Sequence, residues 1–209
     1  MEDRPKPLTP TLASTAGGRP VPRRATATSP LPVSPSSADV SSLPVRPSHA
    51  DTETGTVRTA HPRTAVSVHD VAAYILAQAG RMTAMKLQKL VYYSQAWSLV
   101  WDEKPLFGEQ IEAWANGPVV PALYDAHRGR FELGPPWTLG DPALLSQANR
   151  ETIDAVLEFY GKQTSQWLSD LAHQEAPWRE ARAGLGPQER GNQVITNASL
   201  AEYYSSLPS

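Results

Sequence analysis

"AMKLQKLVYYSQAWSLVW", residues 84–101, runs for 18 residues without Gly or Pro, room for about 27 Å of helix at 1.5 Å per residue. Thr83 precedes it as an N-cap, and Asp102-Glu103-Lys104-Pro105 stops it. Leu87, Leu90, Val91, Ser94, Trp97, Ser98 and Trp101 recur at helical spacing and predict one stripe turned to a core. Lys86, Lys89, Tyr93 and Gln95 fall largely off that stripe, with Tyr92 at its border. The spacing therefore predicts a solvent-facing edge carrying Lys86, Lys89 and Tyr93.

Outward from this helix, residues 66–209 read as mostly helical with short extended pieces, and no internal repeat is present. Ser67 and Asp70 form a variant capping box ahead of a helix over 68–79, closed by Gly80. "LFGEQIEAW", 106–114, alternates as a short strand does. Asn116-Gly117-Pro118 breaks it, and a helix is expected over about 118–128 with Pro118 and Pro121 in its first turn. Further helices are expected over about 143–161 and 165–175, then a short piece in "APWREARAG" and a last helix in "NASLAEYYSS" after Thr196 or Asn197. The fold class is mainly α, a single helical domain with a small β element.

Residues 1–65 have another character. They hold 11 of the 20 prolines and no Phe, Trp or Tyr, whereas residues 66–209 hold all 16 aromatics. A segment without aromatics, rich in Pro, Ser, Thr and Ala, cannot bury enough apolar surface to offset its chain entropy. Residues 1–65 are expected to be a disordered tail and 66–209 the folded domain. The tail carries 8 Lys+Arg against 5 Asp+Glu, net +3, and the domain 11 against 16, net −5. An acidic domain argues against a broad phosphate-binding surface and for a basic partner.

The chain has no cysteine, which excludes disulfides and thiolate metal sites and suits a reducing cytosol. "MEDRPKPLTP" lacks the apolar core of a secretory signal, and the longest apolar run, 90–101, is too short for a bilayer. A cytoplasmic protein with no membrane contact is expected. His69, His127 and His173 show no HxxxH or HExxH spacing, no nucleophile elbow occurs, and the glycines are scattered singly. No metal, cofactor or catalytic residue is expected. Arg81, Lys86 and Lys89 beside Tyr92 and Tyr93 are too few cations for a nucleic-acid footprint on a domain of this charge.

Several pieces in order are more specific than any one: "KLQKLVYYSQAW", then "PLFGEQIEAWANGPVVPALYD", then "LSDLAHQEAPWREAR", then "AEYYSS". This set resembles the Panacea domain, the family of SocA-type antitoxins and GepA-like phage-associated proteins, over about residues 68–207. Leu90, Gln95, Phe107, Glu112, Gly117, Pro118, Tyr124, His173, Pro177 and Trp178 stand where the family pattern expects such residues. Ala172 replaces its usual Thr. The resemblance implies a non-enzymatic, often prophage-associated antitoxin that neutralises a toxin protein by direct binding. The toxin is expected from an adjacent gene. A protease or chaperone is a further partner where the antitoxin acts as a delivery adaptor. The second reading is a DNA-binding regulator of its own operon, for which the sequence offers the Arg81, Lys86 and Lys89 edge. On the first reading, Lys86, Lys89, Tyr92 and Tyr93, with Trp114 and Asn116 from the junction, form or border the toxin-binding face. In the competing view Lys89 and Tyr92 brace the 111–125 turn by hydrogen bonds.

Overall fold

Why helix follows helix here is visible at their ends in the computed structural model, which describes residues 65–207. Helix α1 (Val68–Ala79) starts at the expected box: the Ser67 N–H and hydroxyl both donate to Asp70 Oδ2 at 2.8 Å. Asp70 is fully buried, and its Oδ1 accepts the Asp141 N–H at 2.6 Å, which pins a distant loop to the start of α1. Strand β1 (Met82–Thr83) leads into α2 (Ala84–Trp101), capped by the Thr83 hydroxyl accepting from the Lys86 N–H. The expected disordered tail lies outside the described residues, Ala65 apart.

The next segment differs from the expectation in an instructive way. Strand β2 covers only Ile111–Trp114, because the N–H groups of Leu106 and Phe107 donate to Gln95 Oε1 on α2, at 2.8 and 3.1 Å, and have no strand partner. Residues Gly117–Val119 do not open a helix. They form β3, which turns back through Ala115-Asn116 and pairs with β2 in the register Ala113–Pro118 and Trp114–Gly117. Helix α3 begins three residues later than expected, at Pro121, and ends at His127. Pro121, not Pro118, occupies the first helical position, where a missing N–H costs little.

Strand β4 (Glu132–Leu133) pairs antiparallel with β1. A short 3₁₀ turn, Pro142–Leu144, precedes α4 (Gln147–Tyr160), so the helix expected from 143 starts at its own cap, Ser146. Helices α5 (Ser165–Gln174) and α6 (Ala176–Ala181) follow, then β5 (Val194–Ile195) and α7 (Asn197–Ser205). Strand β5 pairs with the other edge of β2, giving the order β3-β2-β5. The domain is mainly helical with two small sheets, as the sequence implies.

Helix α2 is the axis of the domain. Helices α1, α4, α5 and α7 and strand β3 all pack on it. Twelve consecutive residues, Leu87 to Ser98, are buried. The one-sided stripe with a wet edge is therefore corrected: a helix surrounded on every side has no outer face. Tyr93 is fully buried and stacks on Tyr160 of α4 with ring centroids 4.2 Å apart, and Trp97 Nε1 donates to the Tyr160 hydroxyl at 3.3 Å. No helix among the described residues is long and apolar enough to cross a membrane.

Candidate functional site

Polar side chains buried on α2 must find partners, since an unpaired buried donor or acceptor costs about 1–3 kcal/mol. Three of them find those partners in the backbone around the β2–β3 junction. Gln88 receives the Val120 N–H on its Oε1 at 2.9 Å, and its amide nitrogen lies 3.1 Å from His127 Nε2. Lys89 Nζ donates to the carbonyls of Asn116, at 2.9 Å, and Pro118, at 3.1 Å. Gln95 takes the two N–H groups of Leu106 and Phe107, and its amide donates to Phe107 O and to Asn197 Oδ1 at the start of α7. The helix thus holds in place, by hydrogen bonds, the irregular chain that leads into and out of the small sheet.

Lys89 is 1% exposed. Burial brings its amine down to about 7. Gly117 faces it with φ +100°, and a Cβ there would lie 2.5 Å from Nζ. Glycine at this position is required twice over, by the left-handed backbone and by the lysine. Burial, then the Lys89 charge, also lowers the His173 pKa. The His173 ring lies 4.3 Å from that of Trp178, whose Nε1 donates to Trp114 O at 2.9 Å. Arg182, buried at the end of α6, donates to Ala113 O from Nη1 and to Gly186 and Glu189 carbonyls from Nη2. Pro177 is buried in the first turn of α6, and Ser169 of α5 donates to Asn116 O. The inner face of β2–β3 is thereby tied from two sides, by α2 and by α5–α6.

These contacts correct the sequence-based picture of the outer edge. Lys89, Tyr92 and Tyr93 are buried and have no surface to offer. Lys89 braces the turn. Tyr92 does not: its hydroxyl lies 3.3 Å from that of Tyr204 on α7, which donates to the buried Glu175 carboxylate at 2.7 Å. Burial, followed by the Glu175 charge, raises the pKa of both phenols well above the usual tyrosine value. Lys86 is half-buried, and its Nζ donates to Gly161 O at 2.7 Å, closing the C-terminal end of α4. Of the Arg81, Lys86 and Lys89 edge, Arg81 alone is exposed.

The outer face of the junction is different. Along β2, Ile111 and Ala113 are buried while Glu112 and Trp114 are only half so, the alternation of a strand with one open side. Glu112 and Trp114 border a groove of about 840 Å³. Ala115 and Asn116 of the turn, Tyr124 of α3, Arg128 just past its end, and Gln188, Arg190, Gly191 and Asn192 line the rest of it. Trp114 meets Tyr124 edge to face at 4.8 Å, and its Nε1 donates to Glu112 Oε2 at 2.7 Å. The Arg128 guanidinium stands 5.4 Å above the Tyr124 ring. Of the six residues expected at the partner face, Trp114 and Asn116 meet here, and the four on α2 do not join them. Gln88, Arg182 and the 188–192 segment escape the sequence reading. Arg182 lies within the quoted "APWREAR", but nothing in its spacing marks it as buried.

Among the described residues no group of three or more His, Asp or Glu side chains is placed to hold a metal ion. No curated protein and no solved structure matches the chain. Residues 87–179 match the family model described as "Antitoxin SocA-like, Panacea domain". That span runs from the second turn of α2 to α6 and contains the whole β2–β3 junction, with α1, β5 and α7 packed outside it. Residues 87–179 are therefore similar to the SocA-like Panacea domain.

Proposed function

We propose that the protein neutralises a toxin by stoichiometric binding in the cytoplasm, the toxin being encoded by an adjacent gene, and that the groove over β2–β3 is where the toxin docks. The observation that carries this reading is the pairing of a braced inner face with an open aromatic outer face on the strand pair that the family match spans. Half-exposed Trp and Tyr on a rigid support give contact area at little entropic cost, and such residues often anchor interfaces. Residues 66–209 act on this reading as the antitoxin unit, and 1–65 as an appendage dispensable for neutralisation. Delivery of the bound toxin to a protease is a further step consistent with the same docking.

The test is co-expression with the neighbouring toxin gene. Trp114→Ala and Tyr124→Ala should each weaken the complex by about 2 kcal/mol if these rings are central contacts, and rescue of growth should fail while the melting temperature stays close to that of the parent. If both variants fold and still protect cells, the toxin docks elsewhere. Titration of the purified pair should give an endpoint fixed by molar ratio. Inactivation of excess toxin by trace protein would count against a binding role.

A further inference from the structure

The groove has a charge of its own. The domain, residues 66–209, is net −5, yet Arg128 and Arg190 both line the groove and Glu112 is the one acid bordering it. Glu112 already accepts the Trp114 indole N–H through one oxygen. Arg128 pairs with Asp125 at 2.7 Å, but both side chains are more than 60% exposed, so the pair is held weakly and can be exchanged for a better one. Arg190 has no ion-pair or hydrogen-bond partner among the described residues. The Trp114 and Tyr124 rings line the same groove.

We infer that the groove receives an acidic segment of the partner protein, its carboxylates meeting Arg128 and Arg190 and an apolar side chain seated against Trp114 and Tyr124. The inference rests on the docking reading above and gives the partner a chemistry that the domain's overall charge would not suggest, since net charge alone points to a basic partner. Arginine suits carboxylates because its planar fork donates two parallel N–H bonds. Steering by two cations also selects the partner, because a basic segment would be repelled by both. A single-stranded nucleic acid would offer phosphates and bases to the same groups. Two cations beside Glu112 on an acidic domain fit a short acidic peptide better than a repeating polyanion.

The experiment pans the full-length chain against random peptides displayed on phage and then measures the binding of the enriched peptides as synthetic, labelled probes. Enriched peptides should carry Asp or Glu next to an aromatic or aliphatic residue. Their affinity should fall by about tenfold or more in the Arg128→Glu/Arg190→Glu double variant and should be unchanged in Lys162→Glu, an exposed cation that does not line the groove. Absence of any enriched peptide, enrichment without acidic residues, or binding indifferent to the double reversal would overturn the inference. So would an oligothymidylate probe that binds the parent and not the double variant. The two proposals fail separately. If acidic peptides bind here but the double variant still neutralises the toxin and the peptides do not compete with it, the docking reading falls and the groove's preference for acidic segments stands. If neutralisation needs Trp114 but tolerates the charge reversal, the docking reading stands and the acidic partner falls.

Discussion

The two faces of the β2–β3 strand pair are held to different rules. The inner face meets α2, α5 and α6, and nearly every polar atom there has a named partner: Lys89 and Ser169 on Asn116 O, Lys89 on Pro118 O, Trp178 on Trp114 O, Arg182 on Ala113 O. The outer face, one residue along in the strand, carries Glu112 and Trp114 bonded to each other and open to a groove. Family-pattern residues populate both faces. Gln95, Gly117, Pro118, Pro177 and Trp178 belong to the bracing set, while Glu112 and Tyr124 belong to the groove. The difference teaches that this stretch of sequence builds a braced platform on one side and leaves Glu112 and Tyr124 of the pattern uncovered on the other.

The sharpest way to break that division is Gln95→Ala. The side chain satisfies two buried N–H groups and one carbonyl in 106–107 and bonds to Asn197 at the head of α7. Stranding those groups and leaving a cavity should cost about 4 kcal/mol, read as a large fall in the urea midpoint. A loss under about 1 kcal/mol would mean that water replaces the amide easily and the bracing is not buried in effect.

Next in size is Gly117→Ala. A methyl group at φ +100° is strained, by about 1–3 kcal/mol, and it would also displace the Lys89 amine that lies 2.5 Å from its position. The expected loss is about 3 kcal/mol in total. Gly117→Ala combined with Lys89→Met should cost less than the sum of the two changes, because the second removes the nearer of the two Lys89 atoms that the first strikes. Additive losses would show that Gly117 is needed for its backbone alone.

Lys89→Met measures the brace by itself. It should cost about 2 kcal/mol near neutral pH, since two buried carbonyls lose their donor while the methylene packing remains. Its cost should also depend on pH. The folded amine sits at about 7, below its ordinary 10.5. Between those values the unfolded chain binds a proton that the folded chain does not, so this group's contribution to stability rises with pH across that window and is lowest below pH 7. The gap between parent and variant should therefore widen from pH 7 to pH 9, with a slope of at most about 1.4 kcal/mol per pH unit. A gap that is flat over this range would show that the amine titrates as it does in water.

Much of the helical frame is legible in the sequence because its ends are chemical. Ser67, Thr83, Thr164 and Thr196 each stand where a helix begins, and the bounds of α1 and α2 follow from their caps and breakers. The junction is harder to read. Gly117-Pro118 looks like a helix start, and it is β3 only because residues 112–114 lie alongside it, a pairing no local propensity contains. Side-chain direction on α2 fails for a related reason. Lys, Gln and Tyr off an apolar stripe are solvent-facing on a helix with one covered side, but helices and strands surround this helix, and the same residues become its internal donors and acceptors. Of the site, Trp114 and Asn116 are legible from the turn chemistry. The 188–192 segment that also lines the groove carries no periodicity that would connect it to β2.

Asn116 separates the two faces within one residue. Its carbonyl accepts from Lys89 Nζ and Ser169 Oγ, so its backbone belongs to the inner, braced face. Its side chain is exposed and borders the groove. Asn116→Arg changes the outside and leaves the carbonyl where it is. The effect on stability should be the smallest of the series, within about 0.5 kcal/mol, as for surface substitutions generally. The effect on the partner should be much larger, because a long cationic side chain bordering the groove obstructs whatever enters it. An unchanged melting temperature with lost toxin neutralisation would place the division between fold and function inside this single residue. A fall in stability as large as that of Gly117→Ala would instead show that the turn cannot hold its carbonyl in position without the asparagine side chain, and the two faces would then be one cooperative unit. Normal stability with full neutralisation would move the contact toward Tyr124 and Arg128, away from the turn.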